Sequence, residues 1–167
     1  CHGPSGTVRT FLAMHALTGD VAYRDAALAS ARWIIEQKPH PGSDSSRTRF
    51  YAPSLCCGAA GVIDCMVDVA RATGDSEIES YAREVSAYLQ RHAKEDGNGV
   101  KWTNYDFPDE DGVIYHSPSL MLGVSGEALA LLRLAVIDEE DDPIVHLPDR
   151  RVVFANAATP RKSGQPA

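Results

Sequence analysis

The feature that most restricts the fold of this chain is a cysteine-bearing glycine corner that occurs twice, 55 positions apart. The first corner reads CHGPSG and begins at Cys1, and the second reads CCGAAG and begins at Cys56. Soft ligands at matching corners of neighbouring units can meet at a single ion. We therefore predict two copies of one structural unit, in which Cys1 is equivalent to Cys56 and His2 is equivalent to Cys57.

Each unit reads as a hairpin of two helices. Apolar residues recur at helical spacing over 7–17 and over 62–72, directly after each corner. The tripeptide TGD follows both of these helices. Its glycine predicts the end of the helix, and its aspartate predicts the N-cap of the next helix. Second helices are predicted over 22–37 and 76–92, and the latter opens with the capping-box pattern SEIE.

A third, partial unit follows the second one. The segment PSLMLGVSG at 118–126 repeats the glycine corner, and an apolar helix is predicted over 127–137. Met121 and Leu122 occupy the positions of this corner that are equivalent to the cysteine ligands, and neither residue type binds zinc. This unit is therefore predicted to complete the row of helices without binding metal. The sequence predicts an all-α chain of helical hairpins. Long loops are predicted over 38–53 and 94–116, and the second loop contains the turn sequence GNG.

Composition narrows the class of protein. The chain has 167 residues, 44% of them apolar, which suffices for the core of one domain. Its net charge of −7 and its isoelectric point near 5.3 argue against nucleic acid or an anionic membrane as the main partner. No apolar run approaches the roughly 20 residues that cross a bilayer. The 4 cysteines are too few for a secreted disulfide scaffold, so we predict reduced thiols and a cytoplasmic location.

The equivalent corners predict a thiolate-rich metal site. Parallel neighbouring helices lie roughly 8–10 Å apart, so Cys1, Cys56 and Cys57 can converge on one ion. Helix N-termini also favour the thiolate over the thiol. Three thiolates leave one of zinc's four positions open, which is the arrangement of a catalytic site. His2 is the predicted proton carrier beside the metal.

Other roles for these side chains stay open at this level. Buried cysteines often pack as small hydrophobic residues. For Cys56 and Cys57 this role is as well supported as metal binding, and for Cys65 it is the favoured one. Cys1 is alternatively an N-terminal nucleophile that uses its own amine as a base. His116, just before the third corner, is a candidate proton shuttle. The whole chain is alternatively an α-solenoid that binds partners without metal or catalysis.

Three ordered motifs resemble the lanthionine synthetase C-like family, the zinc-dependent cyclases of lanthipeptide biosynthesis. They are CHGPSG at 1–6, SLCCGAAG at 54–61 and PSLMLGVSG at 118–126, the last followed by LLRL. The resemblance spans residues 1–147 and implies an α/α toroid, of which this chain would form the last two to three repeats. Residues 148–167 are predicted to be an irregular tail.

The resemblance also implies a cofactor and a reaction. The family's zinc holds a cysteine thiolate of a precursor peptide, which adds to a dehydroalanine or dehydrobutyrine of the same peptide and closes a thioether ring. Cys57 replaces the family's histidine ligand, so three cysteines would bind the metal, as in a subgroup of multidomain synthetases. The implied partners are a dehydrated precursor peptide, the upstream remainder of the toroid, and a dehydratase or kinase/lyase domain. The alternative within the family is addition of glutathione or another small thiol to dehydrated residues.

Overall fold

The computed structural model describes residues 3–37, 52–103 and 116–139. Within these ranges the chain forms five helices and one antiparallel two-stranded sheet. The elements in chain order are α1 (Pro4–Thr18), α2 (Val21–Glu36), α3 (Ala59–Thr73), α4 (Ser76–Arg91), β1 (Lys94–Glu95), β2 (Val100–Lys101) and α5 (Val124–Ala135). The prediction of an all-α chain is confirmed. The boundary predicted after residue 147 and the tail beyond it lie outside the described residues.

The helices pair in chain order, α1 with α2 and α3 with α4. Gly19 and Gly74 end the first helix of each pair with φ of 72° and 70°, a left-handed conformation that glycine adopts without strain. Asp20 then caps α2, because its Oδ1 accepts a hydrogen bond from the backbone N–H of Ala22 at 2.9 Å. The helix stops and the cap that TGD predicts at its first occurrence are therefore confirmed.

For α4 the sequence predicts two caps one residue apart, Asp75 from TGD and Ser76 from the capping-box pattern, and the structure confirms the first. Asp75 is the N-cap, and its Oδ1 accepts hydrogen bonds from the backbone N–H groups of Glu77 at 3.0 Å and Ile78 at 3.4 Å. Ser76 is already the first helical residue, so the capping box predicted there was wrong. The carboxylate of Asp75 directly follows the helix stop and supplies the charged acceptor first.

All three helices that follow a corner begin three residues before the predicted start. Apolar periodicity gives no signal in this first turn, because small residues and glycine build it. Glycine is required there for close packing. A Cβ at Gly61 would overlap the carbonyl oxygen of Leu55, and a Cβ at Gly126 would overlap that of Leu120. The first turn therefore packs directly on the chain segment that leads into it.

The helix α3 is central to the fold. It packs against α1 and against α5, and it also contacts α2 and its own partner α4. Every residue over 62–70 is buried, which explains why this helix is apolar around most of its circumference. The three corner helices thus form one row, while α2 and α4 contact each other in a second layer.

A short hairpin follows α4 and leads the chain back to the helices. Residues 94–95 pair with residues 100–101, so the turn predicted from GNG at 97–99 is confirmed. Trp102 then lies buried against the end of α4, where its Nε1 donates a hydrogen bond to the carbonyl oxygen of Leu89 at 2.7 Å. This contact holds Trp102 against the end of α4.

The second and third corners have the same backbone geometry. The N–H of Ala59 donates to the carbonyl oxygen of Ala52 at 2.8 Å, and the N–H of Val124 donates to the carbonyl oxygen of Ser117 at 3.0 Å. In both corners the glycine before the donor packs so closely on the same carbonyl that a Cβ would overlap its oxygen. The repeat that the sequence predicts here is therefore a structural repeat.

We expect Gly58→Ala to lower the free energy of unfolding by about 2–3 kcal/mol, because the added Cβ would overlap rigid backbone rather than a flexible side chain. Gly74→Ala is the matched control. Its Cβ would enter open space, and only the left-handed backbone opposes it, at about 1 kcal/mol. Urea denaturation of both variants measures the difference. Equal losses in the two variants would show that the close approach at Gly58 does not matter.

Candidate metal centre

Two of the predicted ligands lie side by side in the turn that opens α3. The Sγ atoms of Cys56 and Cys57 are 3.3 Å apart, and both residues carry thiols rather than a disulfide. Cys57 is exposed and Cys56 is half-buried. The turn is held by Ser54, which is fully buried and accepts hydrogen bonds from the N–H of Cys57 at 3.3 Å through Oγ and from the N–H of Gly58 at 3.0 Å through its carbonyl. The two sulfurs are therefore presented at the surface by a rigid backbone.

The third corner is hydrogen-bonded to this turn. The N–H of Cys56 donates to the carbonyl oxygen of Met121 at 2.8 Å. A Cβ built on Gly126 would also lie 2.7 Å from the Cβ of Leu55, so the first turn of α5 presses on the second corner. The side chain of Met121 is 47% exposed at the position equivalent to Cys56. The third corner thus supports the cysteine turn and carries no thiol of its own.

The cysteines on either side of the first turn of α3 differ in burial. Cys56 and Cys57 precede Gly58, the N-cap, and are half-buried and exposed, respectively. Cys65 lies inside the helix and is 1% exposed, and burial raises the pKa of its thiol to about 12. The prediction that Cys65 is a core thiol rather than a ligand is confirmed.

His116 lies beside the third corner with a defined orientation. Its Nδ1 donates a hydrogen bond to the carbonyl oxygen of Trp102 at 3.0 Å, which leaves Nε2 as the acceptor of the neutral ring. The next residue, Ser117, accepts the hydrogen bond from Val124 at the start of α5. The histidine is exposed, so its ring is open to a proton donor or acceptor from solvent. Its role as a proton shuttle stays a prediction.

A buried network of four charges that was not predicted from the sequence joins the three corner helices. Asp64 and Asp68 of α3 each pair with Arg9 of α1 and with Arg133 of α5. The Nε of Arg9 lies 2.9 Å from Asp68 Oδ2, and the Nη2 of Arg133 lies 2.6 Å from Asp68 Oδ1. The side chains of both aspartates and of Arg133 are 1% exposed, and that of Arg9 is 33% exposed.

The charges in this network stabilise one another. Burial acts to lower the pKa of both guanidinium groups, but the carboxylates of Asp68 and Asp64 outweigh it and raise the pKa of Arg9 and of Arg133. Two positive and two negative groups balance, so no net charge is buried. A signal was readable in the sequence, since two aspartates four positions apart interrupt an otherwise apolar helix.

Comparison with known proteins identifies the family. The model of the lanthionine synthetase C-like protein family matches residues 1–146 of the chain. The chain belongs to this family. No curated protein is similar enough to match it.

In this lanthionine synthetase C-like chain, the structure describes half of the predicted site. It brings Cys56 and Cys57 together, whereas Cys1 and His2 lie outside the described residues. Within residues 3–37, 52–103 and 116–139, no group of three or more His, Cys, Asp or Glu side chains is arranged to hold a metal ion. The same ranges contain no helix that is both long and apolar enough to cross a membrane. The three-cysteine ligand set therefore stays a prediction.

The lanthionine synthetase C-like chain also buries a carboxyl group that was not predicted from the sequence. Glu127, in the first turns of α5, is 1% exposed, and its Oε2 is buried without a hydrogen-bond partner among the described residues. Burial raises the pKa of Glu127 to about 7. An acid near a helix N-terminus is usually exposed and favourable with the helix dipole, so the sequence offered no sign of this burial.

Proposed function

We propose that this chain is part of a zinc-dependent peptide cyclase that forms thioether rings, and that Cys1, Cys56 and Cys57 bind the zinc. The observation that carries the proposal is the pair of thiols at the start of α3, with their Sγ atoms 3.3 Å apart, in a chain of the lanthionine synthetase C-like family. Two sulfurs on one tetrahedral zinc lie about 3.8 Å apart when each bond is about 2.3 Å, so a small rotation fits the pair to one ion. The soft donor set also suits zinc.

The protein groups would divide the chemistry between binding and proton transfer. Bound by the three cysteines, zinc would lower the pKa of a substrate thiol so that it is a thiolate at neutral pH. The thiolate sulfur of a precursor cysteine forms a bond to Cβ of a dehydroalanine or dehydrobutyrine, and Cα takes up a proton. His2 holds and returns that proton, since an imidazole titrates near neutral pH. The reaction is an addition, so it releases no leaving group and needs no oxidant.

The proposal extends to the surroundings of the site. The substrate is a dehydrated precursor peptide, and the toroid is completed by upstream repeats, with a dehydratase or kinase/lyase domain as a further partner. With a three-cysteine ligand set, the chain would belong to the variant in which Cys57 replaces the family's histidine. A reducing, cytoplasmic environment fits the thiols of Cys56, Cys57 and Cys65.

Metal analysis of the purified chain tests this proposal. We expect one zinc per chain, and we expect Cys57→Ala to weaken zinc binding at least about 100-fold, because even loss of an outer-shell partner weakens binding about 10- to 100-fold. Cys65→Ala is the control and should keep the parent's affinity, since this thiol is buried in the core. A parent chain without zinc would favour the non-catalytic solenoid instead. Zinc loss in Cys65→Ala but not in Cys57→Ala would place the metal elsewhere.

A further inference from the structure

Two of the four buried ion pairs join positions that are equivalent in the repeat. The shift of 55 that carries Cys1 onto Cys56 also carries Arg9 onto Asp64, and these two side chains form an ion pair. Arg9 is five residues after Pro4, the start of α1, and Asp64 is five residues after the start of α3. The pair therefore connects α1 and α3 at equal depth below their corners.

The same relation holds on the other side of α3. The shift that carries the second corner onto the third also carries Asp68 onto Arg133, and these side chains are paired as well. Each is nine residues after the first residue of its helix. The chain thus reverses the sign of the charge at equivalent positions, so that each pair joins neighbouring helices without an axial offset.

We propose that Arg9 is a positioning residue that fixes the axial register of α1 against α3, so that the ligands of the first and second corners meet at one metal ion. This inference rests on the proposed function for its purpose, but the register itself follows from the ion pairs. Arg9 reaches both Asp64 and Asp68, and a guanidinium fork that binds two carboxylates fixes direction as well as distance.

Apolar packing alone leaves this register less well determined. Hydrophobic contact is non-directional, and the buried residues of α1 are the apolar Val8 and Leu12, so their packing alone tolerates a small axial shift. A slip of one residue moves a helix about 1.5 Å along its axis. Metal–ligand distances must be correct to within about 0.2 Å. A directional contact between these two helices therefore matters more for a shared metal site than for the fold itself.

Two variants separate register from stability. Arg9→Met keeps the length of the side chain but removes the fork, and it leaves the pair of aspartates with only Arg133 among the described partners. The double variant Arg9→Met/Asp68→Asn restores charge balance, because Arg133 then faces the single carboxylate of Asp64. We expect the double variant to recover most of the thermal stability that Arg9→Met loses, while the zinc dissociation constant stays about 10- to 100-fold above the parent value in both.

Competition with a chromophoric chelator measures zinc affinity, and thermal unfolding of the metal-free full chain measures stability. Arg32→Met is the matched control, because Arg32 also pairs with an aspartate of another unit, Asp75 at 2.9 Å, but is 54% exposed on α2. It should leave zinc affinity unchanged. If zinc affinity returns to the parent value in the charge-balanced double variant, Arg9 acts only through stability and the inference is overturned.

A second readout does not depend on zinc. In a Cys56→Ser background, dibromobimane can bridge Cys1 and Cys57, since each thiol displaces one bromide and the probe fluoresces only when both arms have reacted. Cys65 is buried and does not compete. We expect Arg9→Met to slow bridging at least about tenfold and Arg32→Met to leave it unchanged, by the same register argument.

The bridging outcomes distinguish this inference from the proposed function. One outcome is rapid bridging in the parent and slow bridging in Arg9→Met, although neither binds zinc. That result would support the register role and reject the cyclase proposal. Equal bridging rates in the parent and in Arg9→Met would overturn the register role whatever the zinc content. A parent in which Cys1 does not bridge to Cys57 would overturn it too.

Discussion

Arg133→Met is expected to lower the free energy of unfolding by about 3–5 kcal/mol, because it leaves a buried carboxylate without its compensating charge. The side chain of Arg133 is 1% exposed and pairs with both Asp64 and Asp68, which are equally buried. Methionine has a similar length, so the loss would come from charge rather than from a cavity. Among the described residues, the cation that remains beside the two carboxylates is Arg9, whose side chain is a third exposed.

Chemical denaturation at neutral pH measures this loss, and Arg83→Met is the control. Arg83 pairs with Glu79 one helical turn away on α4, where its side chain is 50% exposed. An exposed pair of this kind contributes about 0.3–0.5 kcal/mol. If Arg133→Met costs no more than Arg83→Met, the network is not a stabilising element.

Glu127→Gln is expected to be more stable than the parent at pH 8 by up to roughly 3 kcal/mol, and close to the parent at pH 4. Burial raises the pKa of Glu127 from 4.5 to about 7, so the folded state binds the proton more tightly than the unfolded state. Stability from this group is therefore fully present below pH 4.5 and is lost as the pH rises through about 7. Glutamine keeps the shape but does not titrate.

Denaturation of the parent and the variant at pH 4, 6 and 8 tests this sign. For Glu127→Gln the gain must grow with pH. A gain that is constant across the range would mean that the pKa of Glu127 is the same in the folded and the unfolded state, contrary to its burial.

The corners could be predicted from the sequence because their glycines and cysteines repeat in a fixed register. The close approach of Gly61 and Gly126 to preceding carbonyls explains both the repeat and the early start of the corner helices. Periodicity missed that first turn, since it detects apolar side chains and this turn buries backbone. Cys65 was assigned correctly for the complementary reason, because it lies well inside a helix that is mostly apolar.

The charge network was within reach of the sequence but required a different comparison. Aligning the repeats for identity shows what is conserved between units, whereas the ion pairs appear only when equivalent positions are compared for opposite charge. Opposite charges at equivalent positions are found twice, in the pairs Arg9–Asp64 and Asp68–Arg133. Glu127 satisfies no such test, because its burial depends on how α5 packs and not on its own neighbours in sequence. The assignments of Cys1 and His2 stay predictions.

The glycine-on-carbonyl contacts also determine where this chain can change in length over evolution. Between Ala52 and Gly58 the spacing is fixed, because inserting or deleting one residue would move the wrong backbone group against the glycine. The turn around Gly97 and Gly99 faces open space, and its length is set only by a two-residue strand pair. Insertions and deletions among relatives should therefore collect at that turn, which is also the natural place to fuse a reporter.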